Sequence, residues 1–231
     1  HAIEQLLARI DAARMAHQIL EQPVFGRPQV HLAAAATDAV AGAIELKIAG
    51  LLHDCGKITT PVHVVDKATK LQTLFDRIAL VDTRFEVLLR DAEIARLKGE
   101  LDAAAYEARV AQLQADRGFI RQCNTGGEFM ADAKIAEVER IAGERWRAPD
   151  GSDQPFLSAD EVENLCIRRG TLTAAEREVI NHHIVMTIRL LEALPWPPHL
   201  TQVPEYAGGH HERMDGKGYP KGLTRDQMSV Q

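Results

Sequence analysis

The chain has 231 residues, 45% hydrophobic and 26% charged, with a net charge of −6 and no strong basic patch. That length is ample for a sizeable core in one large domain or two small ones. The charge balance excludes a binder of nucleic-acid polymers, and a small anionic ligand stays open because local charge or metal can overrule net charge. Three widely spaced cysteines, Cys55, Cys123 and Cys166, do not make a disulfide framework, so a reducing, cytoplasmic setting is expected. No signal peptide is visible. Aromatic residues are only 5%, and Ala and Leu dominate, which favours helices.

Residues 2–20 carry Ile3, Leu6, Leu7, Ile10 and Ala13 at helical spacing, and "EQPVFGRP" breaks that pattern. A second helix is predicted from Val30 to His53. It is alanine-rich and nearly apolar all round, as a central buried helix would be, and Asp38, Glu45 and Lys47 argue against a membrane span. It runs into "HDCGK", where Gly56 is the expected C-terminal stop.

From Ala68 to Arg147 the pattern changes. Leu71, Leu74, Ile78, Val81, Phe85 and Leu88 step by three and four, a heptad seam. Gly99 suits a turn, Tyr106, Val110 and Leu113 mark a second helix, and Ile135, Val138 and Ile141 a third. We read residues 68–150 as a helical-hairpin arm inserted between two parts of a core, 1–67 and 151–231. The arm either packs on its own chain or serves as a surface for a homodimer or partner. "APDGSDQP" is a loop. Two capping boxes follow, Ser158 with Glu161 and Thr173 with Glu176, each opening a helix; the second runs to "PWPPHL". No strand is predicted. The final "DQMSVQ" has no closing helix, so a fragment of a longer protein is expected.

Three places carry chemistry. In "LLHDCGK", His53 and Asp54 offer an imidazole and a carboxylate to a divalent metal, and Lys57 a charge for phosphate. In "NHHIVM", His182 and His183 sit in an amphipathic helix, which can aim only one of them at the core. In "GGHHERMDGKGYPKGL", His210 and His211 diverge and so suit two different metals. Glu212, Arg213 and Asp215 can orient ligands from behind, the glycines permit close backbone approach, and Tyr219 offers a flat face and a hydroxyl. Taken together, these nitrogen and oxygen donors suffice for two metals, and the absence of cysteine argues against structural zinc. Two metals a few ångströms apart clamp a phosphoryl group for in-line displacement, which implies phosphodiester or phosphomonoester hydrolysis.

These motifs resemble the HD-GYP family of HD phosphohydrolases. "HDCGK" matches its HD-x-G-K motif. His210, His211, Glu212, Asp215, Gly216, Gly218, Tyr219 and Pro220 match its HHE-x-x-D-G-x-G-Y-P signature, and "LTAAEREVINHH" looks like the family helix that selects His183 over His182. The resemblance implies an all-α helical bundle that hydrolyses cyclic di-GMP to pGpG and onward to GMP. It implies two or three divalent metal ions, iron or manganese, held by His53, Asp54, His183, His210 and His211. Asp54 and Lys57 would be catalytic, with Lys57 on the scissile phosphate. Tyr219 and the loop around it, with Arg213, Asp215, Gly218 and Pro220, would face the guanine and ribose. A sensory or receiver domain, or a partner signalling protein, would supply the input. Two family features are absent: a ligand aspartate downstream of the loop, and an early H-x-x-R-V element, where Arg27 is preceded by Val24 instead of histidine. These departures keep two alternatives in view: a module that binds nucleotide or a partner without cutting, and an HD phosphohydrolase for another cyclic or linear nucleotide.

Overall fold

The computed structural model describes residues 42–127 and 129–229. The expectations for residues 2–20, for the first part of the second helix and for Arg27 lie outside them. The fold is mostly helical, as expected. The chain divides into two compact units, one holding residues 42–57 and 183–229, the other Ile58–His182.

In the first unit, residues 42–52 form a helix, α1, followed by a tight 3-10 turn at Cys55–Thr59 that continues into the second unit. The helices His183–Glu192 (α8) and Val203–Gly208 (α9) pack against each other. Ile48 and Ala49 of α1 join Leu191, Leu200, Val203 and Ala207 in one apolar cluster, with Trp196 and Tyr206 packed on its edge. Glu45 is buried because its carboxylate accepts from the Gln202 amide at 2.9 Å, tying α1 to the start of α9. α1 is not enclosed all round, however: Leu46 and Leu51 are 52% and 68% exposed, so only one face is covered.

The second unit holds α2 (Val62–Val65), α3 (Ile78–Leu97), α4 (Ala103–Asn124), α5 (Asp132–Ala142), β1 (Arg145–Arg147), β2 (Asp153–Pro155), α6 (Ala159–Leu165) and α7 (Ala174–Asn181). Helices α3 and α4 form a hairpin. Gly99, at φ +78°, turns the chain after α3, and the Asp102 side chain caps α4 by accepting from the Ala105 amide. Val81, Phe85 and Leu88 bury against Leu113, Ile120, Val138, Ile141, Phe156 and Leu165, so the seam packs within its own unit. Leu71 belongs to that core but lies before the helix. Leu74 is 88% exposed, so the heptad pattern overran the true start at Ile78.

Both capping boxes form as read: Ser158 with Glu161, and Thr173 with Glu176. Lys67 is buried and donates to Asn164 and Glu176, which holds the segment after α2 against α6 and α7. Two expectations are corrected. A small antiparallel hairpin exists, with Trp146 opposite Gln154 and Gly151 at φ +83° in its turn. Three residues a side are too few to show alternation in a sequence. The helix predicted from Ala174 to Leu194 is interrupted at His182, giving α7 and α8. No helix among the described residues is long and apolar enough to cross a membrane.

Candidate metal centre

All five expected ligands lie in the first unit. His53 and Asp54 occupy the turn after α1, His183 opens α8, and His210 and His211 follow α9. Of the two helical histidines, His183 is buried at 3% exposure, whereas His182 is exposed.

Asp54 sits at the middle. Its Oδ2 lies 3.2 Å from His53 Nε2 and 2.7 Å from Lys57 Nζ, and its Oδ1 lies 3.2 Å from His183 Nε2 and 3.8 Å from His210 Nε2. The rings of His210 and His211 are 4.2 Å apart, and that of His183 is 5.3 Å from His211. Two sets of donors converge within 4.8 Å: His53, Asp54 and His210, and His183, His210 and His211.

The donors fit a divalent cation on three counts. The ring nitrogens His53 Nδ1 and His210 Nδ1 lie 2.8 and 2.7 Å from the Gly50 and Ala207 carbonyls. A carbonyl only accepts, so these nitrogens carry the proton and each Nε2 keeps its lone pair for the site, the orientation common to metal-binding histidine. Second, Asp54 Oδ1 is buried and accepts no hydrogen bond from the described residues. A buried carboxylate oxygen ordinarily has a partner, and a cation would supply it. Third, the protonation states suit ligation. Burial works against charge on Asp54, but the Lys57 hydrogen bond and the Lys57 charge lead the effects that outweigh it and hold the carboxyl below its ordinary range. Burial pushes the His210 imidazole down; the Ala207 carbonyl opposes this, and His53 adds to it, leaving the group below the ordinary range. Burial and then neighbouring His210 lower His211. His210 has one free nitrogen and can serve one cation only, whereas Asp54 has an oxygen on each side and can join two.

The local fold explains how these groups meet. Gly56 is not a left-handed helix stop; it lies inside the 3-10 turn, pressed against α8. A Cβ there would come within 2.0 Å of the His183 carbonyl oxygen and 2.5 Å of the Thr187 amide nitrogen. Gly56 donates its N–H to Thr187 Oγ1 at 3.0 Å, and that hydroxyl donates to the His53 carbonyl at 3.1 Å. Thr187 is fully buried. It therefore clamps the His53-Asp54 turn to the helix that begins with His183. Sequence reading missed Thr187, because a lone threonine in an apolar helix carries no signal for a partner 131 positions away.

The loop after His211 closes on itself. The Glu212 carboxylate accepts from the Lys221 and Leu223 amides at 2.7 and 2.8 Å. Arg213 and Asp215 pair with each other at 2.8 Å, and Asp215 also accepts from the Lys217 amide. Gly218 lies so close to the Glu212 backbone that a Cβ would meet its Cα at 2.4 Å. The Tyr219–Pro220 bond is cis, the Tyr219 amide donates to the His211 carbonyl, and the Tyr219 ring stacks on His211 with centroids 4.6 Å apart. Glu212 and Tyr219 thus shape and brace the His211 region.

Residues 159–231 match the family model of an HD domain. That match holds His183, His210 and His211; the structure adds His53 and Asp54. Over 68 residues the chain is 34% identical to a cyclic di-GMP phosphodiesterase of Thermotoga maritima, which covers 29% of this chain and 18% of that protein. The chain thus spans less than a fifth of the length of this curated relative. No solved structure matches it.

Proposed function

We propose that this chain is a metal-dependent phosphohydrolase of the HD-GYP type, acting on cyclic di-GMP to give pGpG and then GMP. The observation that carries the reading is Asp54, with one oxygen beside His53 and Lys57 and the other beside His183 and His210. The HD-domain match and the partial likeness to a cyclic di-GMP phosphodiesterase support it. His53, Asp54, His183, His210 and His211 would hold two or more divalent cations, iron or manganese. When bound, such cations draw charge from a phosphoryl group and make water acidic enough to attack at neutral pH.

The chain's own residues do the rest. Asp54 joins the two donor groups and stays ionised. Lys57, held beside Asp54, brings positive charge to a phosphate oxygen. Thr187 keeps the His53 turn in register with His183. Tyr219, braced on His211, presents an aromatic edge to a guanine, with Arg213, Asp215, Gly218 and Pro220 forming the loop around it. A sensory or receiver domain, or a partner protein, would govern access.

The test is metal analysis of anaerobically purified chain, followed by incubation with cyclic di-GMP. Two cations per chain and release of pGpG are expected, with turnover lost in Asp54→Asn. Failure to cleave with iron or manganese loaded would sink the proposal, as would unchanged turnover in Asp54→Asn.

A further inference from the structure

A second feature lies wholly in the other unit. An open surface pocket of about 620 Å³ lies between the end of α6 and the start of α7. Arg168, Arg169 and Arg177 line it, against a single lining carboxylate, Glu163. This concentration of positive charge stands out in a chain with net charge −6.

Several arginines of this unit are held in ion pairs. Arg84 grips Glu161, Arg109 grips Glu144, Arg117 grips Asp82 and Arg140 grips Asp116. At the cavity, Arg168 is bound to Asp132, but Arg169 and Arg177 have no carboxylate partner among the described residues. The Arg177 guanidinium lies over Gly170 and donates to the Arg169 carbonyl at 3.4 Å, which turns it towards the same space. Gly170, at φ +73°, makes the bend, and its amide is anchored by the Gly127 carbonyl. At the start of α7 the capping box occupies the Thr173 and Glu176 amides. Ile167 and Leu172 add apolar wall beside the guanidinium groups.

We propose that this cavity is a second ligand site, one that takes a nucleoside monophosphate. The phosphate sits on the forks of Arg169 and Arg177, for which planar guanidinium is the matched donor. The base lies against Ile167 and Leu172. The site uses none of the metal ligands, so it stands or falls separately from the phosphohydrolase reading.

The experiment is calorimetric titration of the 231-residue chain with AMP, GMP and inorganic phosphate, in EDTA so that the metal centre plays no part. Saturable binding of a nucleotide is expected, tighter than that of phosphate alone and retained in Asp54→Asn. Arg169→Ala and Arg177→Ala should each weaken it roughly tenfold or more, the loss of one charge-assisted contact. Both side chains are exposed, so both variants should melt with the parent. Arg177→Lys keeps the charge without the fork and should fall between parent and alanine. Absence of saturable binding overturns the proposal. So does binding that survives both alanine variants, binding abolished by Asp54→Asn, or phosphate binding as tightly as the nucleotides.

Discussion

Gly56 shows how one residue can shape the candidate metal centre without offering a ligand atom. Its missing Cβ lets the His53-Asp54 turn lie directly on the α8 backbone, and Thr187 bonds to both sides of the contact. Gly56→Ala places a methyl group against backbone, which cannot move aside as a side-chain tip would. We expect the variant to lose metal stoichiometry while keeping most of its helical circular dichroism; full metal content would show that the contact is dispensable. Protonation acts on the same residues. His210 and His211 are both held below the ordinary imidazole value of about 6.5, so they stay neutral to lower pH than a free histidine. A proton and a cation compete for the same lone pair. Protonation of His210 and His211 should therefore weaken metal binding only at lower pH than it would for a free histidine. A titration with Mn²⁺ across pH checks this, and a decline that is already complete at neutral pH would contradict it.

Among the elements, α6 illustrates how a short helix is held. Seven residues cannot sustain a helix by propensity. Glu161 accepts from the Ser158 amide to close the capping box, and the same carboxylate takes both Arg84 nitrogens at 2.7 and 2.8 Å, pinning α6 to α3. Burial opposes its charge, but Arg84 and the Ser158 amide together hold its carboxyl below the ordinary range. With a depressed folded-state value, its contribution is fully present above the unfolded value of about 4.3 and is lost as pH falls through the folded value. Glu161→Gln leaves Arg84 without its counter-charge and should cost about 3 kcal/mol near neutral pH. It should also flatten the acid side of the stability profile, as read by urea midpoints; a profile parallel to the parent's would refute the assignment. The capping boxes and the hairpin turn at Gly99 were legible because they depend on residues three or four positions apart. The break at His182 and the β1–β2 hairpin were not, because neither leaves a periodic trace.

At the scale of the molecule, each compact unit holds one of the two tryptophans, Trp196 with the candidate metal centre and Trp146 with the α3–α4 hairpin. Trp196 donates its indole N–H to the Leu191 carbonyl and so reports on α8. A ligand that binds only the native state stabilises it by mass action, about 2.7 kcal/mol at a hundredfold excess over Kd. In Trp146→Phe, added Mn²⁺ should raise the melting midpoint seen by Trp196 fluorescence, and EDTA should reverse it. An unmoved midpoint would count against a native-state metal centre in this unit.

The helical character and the kinds of donor available can be read from the residues alone. Helix period, capping residues and the motifs around His53, His183 and His210 are local, and local chemistry is written in adjacent letters. The resemblance already selected His183 over His182, but packing alone sets one Asp54 oxygen beside His53 and the other beside His183 and His210. It also decided that Gly56 and Thr187 hold them together. Those facts depend on close approach between residues more than a hundred positions apart. Such contacts arise from packing of whole elements, and no spacing rule within a segment encodes them.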